Sequence, residues 1–183
     1  ACADTVEALS VNPTERDVGC VVQPRPEISH ATEVSFRARG CGIWGTDREI
    51  GRFDYGNPPA GFEHLVLGHE CLGVVTEIGT GVCTIKVGDL VVPMVRRPCA
   101  DEQCLPCRND HSDFCTTGGF VERGIKEYHG FMTEQVVDEE KYLFVVPPAL
   151  GDVAVVMAPL TVAEKSLVPV WHIHKRLHGE GPV

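Results

Sequence analysis

Hydrophobic and polar residues alternate or cluster in short runs over the first two-thirds of the chain. Val34, Phe36 and Ala38 alternate with Ser35, Arg37 and Arg39, the period-two signature of a half-buried strand. Short apolar stretches at Thr5 to Val11 and Val18 to Val22 are separated by Asn12-Pro13. Glu70 to Ile78 and Leu90 to Val95 are rich in β-branched residues and bounded by Gly79, Gly81 and Gly88-Asp89. Phe131 to Val137 and Tyr142 to Val146 complete the set. Many short strands punctuated by Gly, Pro and Asp predict a mainly β barrel or sandwich. Trp44 to Ile50 reads as a short helix entered from a glycine turn.

The pattern changes after Pro147-Pro148. Asp152 to Met157 and Leu160 to Leu177 read as helical, with Ala163, Glu164 and Lys165 as good helix formers. Pro169 is expected to kink or end the second helix, because its ring clashes with the preceding turn and it lacks an N–H. A boundary falls near residue 150. No apolar run approaches the roughly 20 residues needed to cross a bilayer.

Composition narrows the function classes. The chain has 183 residues, 43% of them hydrophobic, and a formal net charge of −10. It has enough apolar material for a real core, and an acidic surface argues against nucleic acid and anionic membranes as partners. No basic-then-apolar leader is visible after Ala1. Nine cysteines, an odd number with four clustered, suggest a reducing cytoplasm.

That cluster is the most specific chemical signal. Cys99, Cys104, Cys107 and Cys115 fall within seventeen residues, among Pro, Asp and Asn. Short spacers let the backbone bring four sulfurs onto one ion, so the run reads as a closed structural zinc site, with disulfides as the alternative. Few apolar residues lie in the loop, so metal would supply much of its folding energy. Arg96, Arg97 and Arg108 are expected to offset the negative charge of four thiolates.

Two further motifs are weak in isolation. Gly68-His69-Glu70 precedes a β-branched run, and Gly42-Ile43-Trp44-Gly45-Thr46-Asp47 enters the short helix. His69 and Glu70 could hold a metal, Thr46 could relay a proton, and Asp47 could cap the helix or orient a histidine. In order along the chain, these motifs, Gly88-Asp89-Leu90-Val91-Val92-Pro93 and the four-cysteine run resemble the zinc-containing medium-chain dehydrogenase/reductase family. Val92 to Arg97, Phe114 to Gly118, Glu122 to Ile125, His129 to Met132 and Pro159 to Lys165 resemble its glucose dehydrogenase branch.

The resemblance implies a GroES-like (chaperonin-10-like) barrel over residues 1–150 with a zinc lobe at 96–118. Residues 151–183 would form a helical linker towards a dinucleotide-binding half that this chain lacks. The family reaction moves hydride from a sugar or alcohol carbon to NAD(P), with a zinc ion polarising the substrate oxygen. By the same resemblance Glu122 contacts sugar hydroxyls, while His69 and Glu70 are metal ligands.

The sequence departs from that pattern. Trp44 stands where the family motif has a metal-binding cysteine, and indole offers only an N–H donor. Ala158 stands where the branch has a glutamate at the metal. Two of four expected donors are lost, which makes a catalytic zinc doubtful. Cys41, three residues before Trp44, could replace the lost sulfur if both lay on one helix, but it precedes Gly42 and reads as still in the strand. The tail Gly179 to Val183 resembles the opening of a dinucleotide fingerprint, but no buried strand precedes it. His172, His174 and His178 do not share one helix face and read as solvated.

The first expectation is therefore the catalytic portion of a zinc-dependent NAD(P) sugar or alcohol dehydrogenase, inactive as this chain. The alternative is a non-catalytic, zinc-stabilised binding or scaffold protein. Apolar surface near Val153 to Val168 would be open to homo-oligomer formation.

Overall fold

The computed structural model describes residues 4–178, without the side chains of Asp152, Leu177 and His178. It is built from three small sheets. The first orders its strands β2 (Asp17–Pro24), β1 (Thr5–Asn12) and β4 (Leu65–Val66). The second is five-stranded, in the order β10 (Gln135–Glu139), β3 (Glu33–Gly42), β5 (Glu70–Ile78), β6 (Leu90–Pro93) and β11 (Leu143–Val146). The third joins β7 (Arg96–Arg97), β8 (Val121–Arg123) and β9 (Glu127–Tyr128). Helix α1 spans Gly45–Gly51, α2 Leu105–Arg108 and α3 Met157–His178.

The main core forms on one face of the five-stranded sheet. Val34, Phe36, Cys71, Val75, Val91, Phe131, Val136 and Leu143 pack together there. A second cluster, Val11, Ile50, Leu65, Leu67 and Ile125, lies beneath α1 and holds it to the small sheet. Ala154 packs with Leu72, Val92 and Val146, which ties the segment after β11 back onto the barrel.

The strict alternation expected for β3 fails at Ser35, which is only 2% exposed. The β3–β5 pairing shifts register between Ser35 and Phe36, and again between Ala38 and Gly40. Such irregularities redirect a side chain towards the core. The buried hydroxyl is satisfied by the Gln135 amide, which donates to it. The strand expected over Phe131 to Val137 begins only at Gln135. Before that the chain bonds to the segment ahead of β5 instead: the Phe131 and Met132 N–H groups donate to Gly68 and Leu67 carbonyls, each at 2.9 Å. Strand β6 stops at Pro93 rather than Val95, because the following residues turn to form β7.

Helix α3 runs through Pro169 rather than ending there. Lys165, four residues earlier, and Pro169 are both exposed, so water can satisfy the carbonyl that proline leaves without a donor. The apolar-run expectation also needs correction. The helical stretch Val153–Arg176 is long and apolar enough to cross a membrane by length and composition alone. Reading the sequence as runs missed it because Glu164 and Lys165 interrupt it. Lys165 pairs with Asp113 of the lobe at 2.9 Å, so a charge in mid-helix is held against the rest of the protein.

Candidate functional site

The four-cysteine loop folds as the spacing predicts. Cys104 immediately precedes α2, Cys107 lies in it, and Cys115 follows a single 3-10 turn at Ser112–Phe114. The Sγ atoms of Cys99, Cys104, Cys107 and Cys115 all lie within 4.8 Å of one another. Cys104 and Cys115 sulfurs are 3.8 Å apart, the edge length of about 3.8 Å that a tetrahedron of zinc–thiolate bonds requires. The donor set therefore fits zinc.

Thiol acidity follows the local donors. Backbone N–H groups of Cys107 and Thr116 bring Cys104 down to about 7. The Thr117 hydroxyl brings Cys115 down to about 6, whereas burial and the neighbouring thiols push Cys107 up to about 12. All four carry negative charge together only when a cation sits among them. Two of the three arginines expected to offset that charge are paired with carboxylates, and Arg108 donates to a neutral carbonyl. Arg97 is bonded to Asp138 at 2.6 Å, Arg96 to Glu122 at 2.7 Å, and Arg108 to the Glu102 carbonyl at 3.3 Å. The Thr116 and Thr117 hydroxyls meet the Cys104 and Cys115 sulfurs instead, at 3.7 and 3.4 Å.

A second site forms where α1, the start of β5, the lobe and α3 meet. Trp44, Thr46, His69, Glu70, Arg96, Glu122, Ala158 and Lys165 are among the residues that line a cavity of about 450 Å³. That volume lies in the range of small-molecule sites. Thr46, His69, Glu70 and Glu122, which lie up to 76 positions apart, are thus brought to one place.

Backbone constraints place His69. Gly68 has φ of +90°, and an added Cβ would lie 2.6 Å from the Met132 side chain. At Gly124, φ is +72° and a Cβ would stand 2.4 Å from the Gly68 carbonyl oxygen. Both positions need glycine, and together they fix the loop that presents His69.

Asp47 does two jobs. One carboxylate oxygen accepts the Trp44 N–H at 2.9 Å and so caps α1. The other lies 3.3 Å from His69 Nδ1, an ion-pair contact rather than a hydrogen bond: neither buried atom has a hydrogen-bond partner among the described residues. Burial alone would raise the Asp47 carboxyl, but His69 and the Trp44 and Gly68 N–H groups outweigh it and hold it below its ordinary range. Burial likewise works against charge on His69; the carboxylates of Asp47, Glu70 and Glu122 outweigh it and raise the imidazole. The neighbouring Glu70 is raised, chiefly by burial.

Glu122 is held rather than free. Arg96 stands directly opposite it across β7 and β8, and its Nε and Nη2 both donate to Glu122 Oε1, at 2.9 and 2.7 Å. Arg96 also stacks on Phe120, 4.2 Å from the ring centre. The residues are 26 apart in sequence, and no local pattern announces the pair.

The family's catalytic-metal donor set does not fit. Trp44 and Ala158 line the cavity where two of the donors belong. Trp44 remains 47% exposed, so its indole walls the cavity without plugging it. Cys41 does not replace the missing sulfur. It pairs across β3 and β5 with Cys71, while the next pair, Gly42 and Glu70, faces the other way. Cys41 packs on the main core and donates to the Phe131 carbonyl at 3.4 Å. Among the described residues, the four-cysteine set is the sole cluster of three or more metal-ligating side chains. His172 borders a separate cleft with His111. His174 joins no such cluster, the His178 side chain and the tail Gly179 to Val183 lie outside the described structure.

Comparisons agree with this architecture. Residues 30–148 match the alcohol dehydrogenase GroES-like domain. Glucose 1-dehydrogenase of Methanocella arvoryzae is 38% identical over 175 residues, covering 94% of this chain and 48% of that protein. Glucose 1-dehydrogenase 1 of Caldivirga maquilingensis is 46% identical over 143 residues, covering 78% and 39%. Among solved structures, Haloferax mediterranei glucose dehydrogenase in complex with NADP, Zn and gluconolactone matches with a TM-score of 0.82 and 34% identity. That match covers 91% of this chain and 46% of the other. The chain thus spans less than half the length of these relatives. By its matched domain, its fold and its motifs, it belongs to the zinc-containing medium-chain dehydrogenase/reductase family, on the glucose dehydrogenase-like branch and within its GroES-like catalytic domain.

Proposed function

We propose that this chain is the sugar-binding, catalytic-domain portion of an NAD(P)-dependent glucose or related polyol dehydrogenase. The observation that carries the reading is the convergence of Thr46, His69, Glu70 and Glu122 on one cavity. In the parent reaction a sugar C–H gives hydride to a nicotinamide while the hydroxyl proton leaves through the protein. Glu122, held by Arg96, accepts sugar hydroxyls. Thr46 passes the proton, His69 is oriented by Asp47, and Glu70 shapes the polar wall. A metal at His69 and Glu70 would polarise the substrate oxygen, but the donor set here does not support one.

The chain spans less than half the length of these relatives, so on this reading turnover is a property of the whole protein. On this reading residues 1–150 are the catalytic domain, with the lobe at 96–118, and 151–183 lead to the cofactor half. A reducing cytoplasm suits thiolates held by zinc, and the apolar face of α3 is open to that half or to a second copy. Trp44 and Ala158 favour a second reading, a zinc-stabilised sugar-binding protein that no longer carries out the chemistry.

Calorimetric titration of D-glucose into the zinc-loaded chain tests the shared premise. Glucose binding weakened at least tenfold by Glu122→Gln supports the reading; absence of binding overturns it. NADP+ reduction by the product of the whole reading frame then separates enzyme from binder.

A further inference from the structure

We infer that Cys41 and Cys71 form a reversible dithiol–disulfide pair, an oxidative modification site separate from the zinc lobe. The two residues stand directly opposite in the antiparallel β3–β5 register. Opposed residues in such a pair have Cα atoms about 4.5 to 5.5 Å apart, inside the range of roughly 4.4 to 6.8 Å that a disulfide spans. Opposed side chains leave the sheet on the same face, and both sulfurs enter the same core cluster, beside Phe36 and Phe131.

The surroundings allow the bond to close. Gly40 and Gly42 flank Cys41, and the register shift between Ala38 and Gly40 lies immediately before it. Gly40 has open space around it, whereas Gly42 lies close against the Glu70 side chain, so the backbone can adjust on the Gly40 side. Both cysteines are free thiols. Cys71 is only 1% exposed, whereas Cys41 is partly exposed, which sets the order of events.

The oxidant is a hydroperoxide, with hydrogen peroxide as the simplest case. Cys41 Sγ attacks one peroxide oxygen, the O–O bond breaks, and water leaves, giving a sulfenic acid. Cys71 Sγ then attacks the Cys41 sulfur. The S–S bond forms, the S–O bond breaks, and a second water carries away the Cys71 proton. Two electrons pass from the two sulfurs to the peroxide. A reducing dithiol reverses the step by exchange. The next register pair, Gly42 and Glu70, begins the wall of the cavity, so the bond would tie together the strands that present Glu70 and the Trp44 turn.

The test treats the zinc-loaded full chain with hydrogen peroxide, blocks remaining thiols with N-ethylmaleimide, and maps peptides by mass spectrometry. The expected product is a Cys41–Cys71 crosslinked peptide, two hydrogens lighter than its parts and separated by dithiothreitol. The urea midpoint of the oxidised protein should rise and return on reduction. In Cys71→Ser, Cys41 should stop at a sulfenic acid that dimedone traps, and in Cys41→Ser the midpoint should no longer respond to peroxide. Maleimide on both cysteines after peroxide treatment, or Cys41 linked to any other cysteine, would overturn the assignment. A crosslink found only after denaturation would overturn it too.

Discussion

The Asp47 carboxylate bridges the start of α1 and the imidazole of His69, taking the Trp44 N–H at 2.9 Å and lying 3.3 Å from His69 Nδ1. One side chain thus links the helix cap to the orientation of a site histidine. Asp47→Ala removes both. The expected loss is about 1–3 kcal/mol, combining a helix cap with a buried polar partner left unpaired, measured by urea unfolding. Asp47→Asn keeps an acceptor for the Trp44 N–H and should recover part of that loss.

On this account a zinc ion at the four cysteines would hold the lobe. Cys107→Ser should lower zinc affinity by more than tenfold, since even loss of groups behind the ligands costs 10–100-fold. Amide exchange over residues 98–118 should rise towards unprotected values, while β3 and β5 stay protected. Uniform loss of protection throughout the barrel would contradict a local role.

Buried charge beneath the lobe has a different character. Asp138 accepts Arg97 at 2.6 Å and faces Arg123 at 3.1 Å, and all three side chains are almost fully buried. Arg97 also lies over Tyr142 and Arg123 over Tyr128. Asp138→Ala leaves two guanidinium groups without their counter-charge, so the protein should lose about 3–5 kcal/mol. Equilibrium unfolding reads this directly.

Stability should fall in mild acid because of His129. Burial first, then His64 and Arg123, lowers its pKa to about 4. Its Nδ1 accepts the Val66 N–H at 3.2 Å, a bond that the neutral ring can make. Above about pH 7.5 both folded and unfolded chains hold it neutral and it contributes no pH dependence. As pH drops from about 6.5 to 4 the unfolded state binds the proton first, so stability declines. After discounting for partial solvent screening the loss is about 1–2 kcal/mol. Urea midpoints measured between pH 7.5 and 4 should show this slope in the wild type and a shallower one in His129→Asn.

Much of this architecture is legible in residue order. Spacing announces the four-cysteine site, because metal ligands within one loop converge locally. The Val34, Phe36 and Ala38 alternation marks β3, and Trp44 to Ile50 marks α1. Ser35 was unreadable because its burial depends on Gln135, one hundred residues away. Arg96 and Glu122 meet through β7–β8 register rather than local sequence. Proximity in sequence likewise does not reveal that Arg96 and Arg97 pair with Glu122 and Asp138 rather than face the cysteines. Cys41 lies in β3, as its place before Gly42 implies, and its pairing with Cys71 turns it to the core rather than to the cavity.

The metal content of the two sites tests the account most directly. Elemental analysis of purified, chelator-washed protein should give one zinc per chain, held by the four cysteines, with His69 and Glu70 binding none. The double variant Trp44→Cys, Ala158→Glu should restore the missing donors and raise the content to two. Two zinc ions in the wild type would contradict the loss of the catalytic metal, and none would contradict the structural zinc site itself.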